Sequence, residues 1–128
     1  QPCIRADISA ITNQQKGWIR RTKHFSEDSF NAAIGTGITL VDFWATWCAP
    51  CRMVAPVIDT LAENFAGRAV VGKVDVDAEG TLANRFGIQS IPTVMIFKDG
   101  HPARTFIGVR PYEEYAAALE EILQSVTD

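Results

Sequence analysis

The chain has 128 residues, of which 47% are hydrophobic and 21% charged, a composition typical of one soluble globular domain with a hydrophobic core. Its net charge of -3 gives no electrostatic basis for binding nucleic acid or an anionic membrane, and no run of about 18 apolar residues is present to span a bilayer. We therefore expect neither nucleic acid nor a membrane among its partners.

The N-terminal part of the sequence differs in composition from the rest. It is polar and rich in turn-forming residues, so we predict an N-terminal extension over 1–21 and a folded domain over 22–128. It has no apolar segment of the kind found in signal peptides, which favours the cytoplasm, with an organelle or the periplasm as alternatives. Cys3 is interpreted as an idle surface thiol, with an intermolecular disulfide as the alternative.

Helix and strand signals alternate along the rest of the chain. Ser26 offers an N-cap followed by acidic residues, so a helix is predicted over 26–34, ending at Gly35. The nearly continuous apolar run over 38–44 predicts a strand that is buried on both faces, in the middle of a sheet.

A longer helix is predicted over 49–65, because apolar residues recur at helical spacing on one face. These residues are Val54, Val57, Ile58, Leu61 and Phe65. A second buried strand follows over 69–76, and a short helix over 82–86 ends at Gly87.

A hairpin and a helix are predicted at the C-terminal end. Strands over 93–97 and 104–107 are joined by a turn that contains Asp99 and Gly100. The final helix is predicted over 111–126. Its inner face is formed by Tyr115, Leu119, Ile122 and Val126. This order of elements predicts an α/β fold, in which a central mixed β-sheet is flanked by helices on both faces.

Cys48 and Cys51 lie between the predicted strand over 38–44 and the helix that follows it. Free N–H groups and a partial positive charge at the start of a helix stabilise a thiolate, so Cys48 is the predicted attacking thiol. Cys51 follows within the first turn, near enough to close a reducible disulfide and directed inward, so it is the predicted resolving thiol. The pair predicts thiol–disulfide exchange.

The cysteine pair has two other interpretations. Zinc needs four ligands, and the other candidates, Cys3, His24 and His101, have no paired spacing, so we predict no metal. Two structural cysteines at this spacing by chance are the second alternative. The flanking Trp47 and the strand-to-helix position favour redox chemistry.

Asp42 and Lys73 are predicted to influence the protons of this site. Asp42 interrupts an apolar strand, and a buried carboxylate would have a raised pKa and could exchange a proton with the inner thiol through water. The alternative is a strand-end aspartate that binds the backbone. Lys73, in the neighbouring predicted strand, could reach Asp42 and modulate it, with a solvated lysine as the alternative.

Ile91 and Pro92 stand at the start of a buried strand, where proline is unusual. A cis peptide bond would explain this position. The cis turn would press against the cysteine pair and leave the backbone of Ile91 free to pair with an extended peptide. A trans proline at the entry to the strand is the alternative.

Together these residues resemble the thioredoxin family, over most of the chain after the extension. The resemblance rests on several motifs in the right order. They are Val41-Asp42-Phe43-Trp44-Ala45, Trp47-Cys48-Ala49-Pro50-Cys51, Pro56, Lys73-Val74-Asp75-Val76-Asp77, Ile91-Pro92-Thr93 and Gly108. The resemblance implies a thioredoxin fold, reduction of protein disulfides, no permanently bound cofactor, and electrons from a thioredoxin reductase.

The resemblance also implies roles for single residues. It marks Cys48 as nucleophile, Cys51 as resolving cysteine, Asp42 as buried proton acceptor and Pro92 as the cis-proline. It implies a surface for disulfide-containing partner proteins, and we expect the protein to be a monomer. That surface comprises Trp47, Ala49, Pro50, Ile91, Pro92, Gly108 and Val109.

Two other functions compete with disulfide reduction. The first is a dedicated oxidase or isomerase outside the cytoplasm, which a measured redox potential would separate from a reductant. The second is a non-catalytic binding module with the same fold, and the presence of both cysteines argues against it.

Overall fold

The structure, a computed structural model, describes residues 22–127. The predictions made for Cys3, for the extension over 1–21 and for the side chain of Val126 lie outside the described residues. Five strands and four helices occur in the described part of the chain. They are β1 (Thr22–His24), α1 (Glu27–Ile34), β2 (Ile38–Trp44), α2 (Ala49–Asn64), β3 (Val70–Asp75), α3 (Gly80–Arg85), β4 (Thr93–Lys98), β5 (His101–Ile107) and α4 (Tyr112–Thr127).

The strands form one mixed sheet in the order β1-β3-β2-β4-β5. The pairs β1–β3 and β2–β3 are parallel, whereas β2–β4 and β4–β5 are antiparallel. β2 therefore lies at the centre of the sheet, and all its residues except Trp44 are buried, as the apolar run over 38–44 predicted. None of the helices within the described range is long and apolar enough to cross a membrane.

Alternation of side chains along β2 separates two hydrophobic cores. Leu40 packs with residues of α2 and α4 on one face, and Val41 and Phe43 pack with residues of α1 and α3 on the other. The predicted α/β fold with helices on both faces is thus confirmed. Because alternate residues of a strand share a face, Asp42 points into the same layer as Leu40, between the sheet and helices α2 and α4.

The sequence did not predict β1, which is short and largely exposed. It forms because its backbone pairs with β3, from Thr22 opposite Val71 to His24 opposite Lys73. The N–H of Phe25 extends this ladder by donating to the carbonyl of Lys73 at 2.9 Å. Such a strand depends on a partner distant in sequence, so no local hydrophobic pattern marks it.

The second strand of the C-terminal hairpin, β5, begins earlier than predicted. Asp99 and Gly100 both have positive φ, 49° and 91°, as a two-residue turn of this kind requires. β5 therefore starts directly at His101, rather than at residue 104. The register shifts between Ile96 and Phe97. The first residues of β5 are mostly polar and all exposed, so they carry no hydrophobic pattern from which a strand could be predicted.

Gly72 of β3 provides a test of how closely the core between β3 and α1 is packed. A methyl group at this position would overlap the ring of Phe25. We expect Gly72→Ala to lower the free energy of unfolding in urea by about 1–3 kcal/mol. The control is Gly80→Ala at the start of α3, where a methyl group would meet no atom within 4 Å. Equal stability of the two variants would contradict this account of the packing.

Candidate active site

Cys48 and Cys51 form a disulfide at the start of α2, with their Cα atoms 5.3 Å apart. Cys48 is the N-cap of this helix, and its Sγ accepts a hydrogen bond from the N–H of Cys51 at 3.2 Å. Pro50 lies in the first turn, where a missing N–H leaves no helical hydrogen bond unmade. The helix therefore presents its N-terminal N–H groups and the positive end of its dipole to the sulfur of Cys48.

The disulfide lies in a small apolar cluster and is nearly closed to solvent. Cys48 is 4% exposed and Cys51 is 2% exposed, and both are packed with Ala45. The partly buried side chains that cover this cluster are those of Trp44, Val76 and Ile91. Because so little of either cysteine is exposed, a partner protein must press closely against this surface to reach Cys48.

The loop before β4 lies against the disulfide. Sγ of Cys48 is 3.9 Å from the carbonyl oxygen of Ile91, and the Ile91–Pro92 peptide bond is cis. The loop after β5 joins it, because the N–H of Gly108 donates to the carbonyl of Pro92 at 2.9 Å. Gly108 has a φ of 89°, a backbone conformation that favours glycine. Both loops are thereby brought to the edge of the disulfide.

An exposed apolar surface surrounds the disulfide. Trp47 is 67% exposed and Val109 is 44% exposed, and Ala49 and Pro50 are also exposed. Ile91 is half-buried at the same edge. A contiguous exposed apolar surface on a folded protein often marks an interaction site.

Three exposed residues that were not predicted as site residues stand out in the structure. Asp77 fixes Trp47, because the indole Nε1–H donates to its Oδ2 at 2.7 Å. Met53 and Ile107 are large apolar side chains that are 68% and 59% exposed. For Met53 the sequence did carry a signal, since it is an apolar residue of α2 that falls outside the inner face of that helix.

Asp42 is completely buried, and neither carboxylate oxygen has a hydrogen-bond partner among residues 22–127. Burial raises the pKa of Asp42 from 3.8 to about 7, while Lys73 acts in the opposite direction and Asp59 raises it further. The pKa of Asp42 is therefore raised, as expected from the sequence. The alternative, a strand-end aspartate that binds the backbone, is not observed in the structure. A carboxyl with this pKa can give up or accept a proton near neutral pH.

Lys73 stands beside Asp42 in the register of β2 and β3 but makes no hydrogen bond to its carboxylate. Its Nζ lies over the ring of Trp44, 4.6 Å from the ring centroid. The lysine therefore acts on Asp42 through its charge, without a hydrogen bond. In the range that the structure covers, no group of three or more His, Cys, Asp or Glu side chains is arranged to hold a metal ion.

Comparison with known proteins places these features in a family. A family model described as Thioredoxin matches residues 21–121. A thioredoxin from Staphylococcus saprophyticus is 44% identical over 98 residues, which are 77% of this chain and 94% of the relative. A thioredoxin from Staphylococcus aureus strain Mu50 is 42% identical over the same shares of the two chains.

Solved structures give the same result. A mutant thioredoxin from Halobacterium salinarum NRC-1 superimposes with a TM-score of 0.73 and 30% sequence identity, covering 79% of this chain and 89% of the other. A thioredoxin from Malassezia sympodialis also has a TM-score of 0.73, with 34% identity over 80% of this chain and 90% of the other.

Proposed function

Because the chain belongs to the thioredoxin family and is a thiol–disulfide oxidoreductase that reduces protein disulfides through its CxxC motif, we propose how its residues divide this work. One observation carries the proposal. A buried disulfide lies at the N-terminus of α2, in a protein whose central strand also buries a carboxyl with a pKa of about 7.

In the reduced protein, Cys48 is the thiolate that attacks one sulfur of a substrate disulfide. A mixed disulfide forms, and the other substrate sulfur leaves as a thiolate that takes up a proton from water. Cys51 then loses its proton and attacks the sulfur of Cys48. This step releases the second substrate thiolate and forms the Cys48–Cys51 disulfide, so two electrons pass from the protein to the substrate.

Asp42 is the acceptor of the Cys51 proton, through water. A thiol that must act as a nucleophile near neutral pH needs a base with a pKa close to that pH, and burial brings Asp42 into this range. Lys73 modulates the acceptor, because its positive charge favours the ionised carboxylate.

Partner proteins dock on the exposed apolar surface around the disulfide. The exposed side chains of this surface include those of Trp47, Ala49, Pro50 and Val109. The hydrogen bond from the N–H of Gly108 to the carbonyl of Pro92 holds the loop after β5 beside the loop before β4. The backbone of Ile91, beside Sγ of Cys48, pairs with the extended segment of the partner that carries its disulfide, and Pro92 holds that backbone in place. Apolar contact excludes water while the sulfurs exchange.

The family implies protein disulfides as substrates and a reductase as the usual source of electrons. We further propose that a thioredoxin reductase is the donor here, that the protein works as a monomer, and that residues 22–128 form its domain after an extension over 1–21. Reduction of disulfides suits a compartment that keeps thiols reduced, so we propose the cytoplasm.

A coupled assay tests the direction of the reaction and the donor together. With NADPH, a bacterial thioredoxin reductase and insulin as the disulfide acceptor, we expect NADPH oxidation that depends on this protein. A redox potential below about -220 mV should accompany it, as for a reductant in a glutathione-buffered compartment. Absence of NADPH oxidation together with a potential above about -150 mV would instead support an oxidase or isomerase.

A further inference from the structure

Four buried polar side-chain atoms have no hydrogen-bond partner in the part of the chain that is described. They are both carboxylate oxygens of Asp42, Nε1 of Trp44 and the hydroxyl of Tyr115. Buried polar groups without partners are costly and uncommon in folded proteins, so such a set calls for an explanation. The carboxylate accepts hydrogen bonds, whereas the hydroxyl and the indole N–H can donate them, so the set is chemically complementary.

Tyr115 lies in the layer that the Asp42 side chain enters. Asp42 is paired with Val94 in the register of β2 and β4, and Val94 is paired with Phe106 in β4 and β5. Paired residues of neighbouring strands point to the same face, so all three side chains enter one layer. The ring of Tyr115 packs edge-on against Phe106, with centroids 5.1 Å apart. Tyr115 is completely buried in the cluster that contains Val94 and Phe106.

We propose that Tyr115 is a positioning residue for Asp42, and that its hydroxyl donates toward the carboxylate through a bridging water. This inference rests on the proposed role of Asp42 as proton acceptor. A donor directed at the ionised carboxylate stabilises the charged form, which keeps a completely buried carboxyl able to ionise near neutral pH. Trp44 is the other donor of the set, but its side chain is less buried than that of Tyr115.

The charges around this pair leave the hydroxyl protonated. Burial raises the pKa of Tyr115 above its ordinary value of 10, and the charges of Asp42 and Glu114 raise it further. The backbone N–H of Arg110 faces the hydroxyl oxygen and, with the guanidinium of Arg110, acts against them, but it leaves the hydroxyl proton free to donate. The remaining elements of the layer contribute Lys73 from β3 and Asp59 from α2. The strands β4 and β5 contribute the apolar Val94 and Phe106. The cysteines do not titrate in the oxidised form.

Tyr115→Phe removes the hydroxyl and keeps the ring against Phe106. The titration of the Asp42 carboxyl carbon is followed by NMR in the oxidised protein, with Asp42→Asn used to assign the signal. We expect the midpoint to rise by at least about half a pH unit, since the ionised carboxylate loses a donor. The pH at which insulin reduction is half-maximal should move in the same direction.

Tyr112→Phe is the matched control. The hydroxyl of Tyr112 is at the surface and accepts a hydrogen bond from Nδ2 of Asn64 at 2.8 Å, so its loss should leave the Asp42 midpoint in place. An unchanged midpoint in Tyr115→Phe overturns the inference, and so does an equal shift in both variants. The role of Asp42 is judged separately. If Asp42→Asn reduces insulin at the full rate between pH 6 and 9, that role fails, whatever the tyrosine does to the titration.

Discussion

Cys48→Ser is expected to abolish disulfide reduction, with the rate of insulin reduction falling by more than about a thousandfold. The hydroxyl of serine stays protonated near neutral pH, so the N-terminus of α2 has no thiolate to stabilise and the substrate disulfide meets no nucleophile. The fold should be retained, because the replacement is close in size and Cys48 lies at the start of the helix rather than within a large core.

Cys51→Ser is expected to separate the two steps of the exchange. Cys48 can still attack, but no second thiol remains to release the partner, so covalent adducts should accumulate. The measurement is a non-reducing gel of the variant mixed with a disulfide protein, with and without dithiothreitol. Cys48→Ser is the control and should form no adducts. Adducts that appear with Cys48→Ser and not with Cys51→Ser would reverse the assigned roles.

The fold could be predicted from the sequence wherever one segment carries its own pattern. The apolar run over 38–44 is a central strand because both faces of the sheet are covered by helices. The inner stripe of the helix over 49–65 is likewise local information, since Val54, Ile58 and Leu61 recur at helical spacing and are completely buried. β1 could not be predicted in this way, because its few polar residues become a strand only through pairing with β3.

The candidate site was predictable where chemistry is tied to residue type and spacing. Cys48 and Cys51 stand out by spacing, and Asp42 stands out as a charge within an apolar strand. Two contacts depend instead on elements that meet only in the folded chain. The hydrogen bond from Trp47 to Asp77 links residues 30 positions apart, and Tyr115 resembles any other residue of the inner face of a helix until its hydroxyl is found without a partner.

Asp42→Asn is expected to make the protein more stable above pH 7 while it slows disulfide reduction. In the native protein the carboxyl keeps its proton up to about pH 7, whereas the carboxyl of an unfolded chain loses it near 3.8. Between these values the native state holds a proton that the unfolded state has released, so rising pH favours unfolding. The stabilising contribution of Asp42 to the free energy of unfolding is fully present below about pH 4 and is lost above pH 7.

The size of this loss follows from the pKa of Asp42, about 7 in the folded protein against 3.8 in the unfolded chain, and amounts to about 4 kcal/mol. Urea denaturation of the oxidised protein at pH 4 and at pH 8 measures it. The stability of Asp42→Asn relative to the parent should rise by up to this amount between the two pH values. Asp28→Asn, at an exposed position in the first turn of α1, is the control and should change by less than about 1 kcal/mol.

Comparing the stability difference between the two proteins at two pH values removes two unrelated effects. The titration of all other groups is common to both proteins, and the cost of burying an uncharged amide at position 42 does not change with pH. A relative stability that stays constant from pH 4 to pH 8 would mean that Asp42 titrates alike in the folded and unfolded chains. The carboxyl would then lack the raised pKa that a proton acceptor for Cys51 needs. The ionised carboxylate of Asp42 destabilises the fold, and its removal is expected to slow disulfide reduction. The protein therefore retains this charge for the exchange reaction, at the expense of stability.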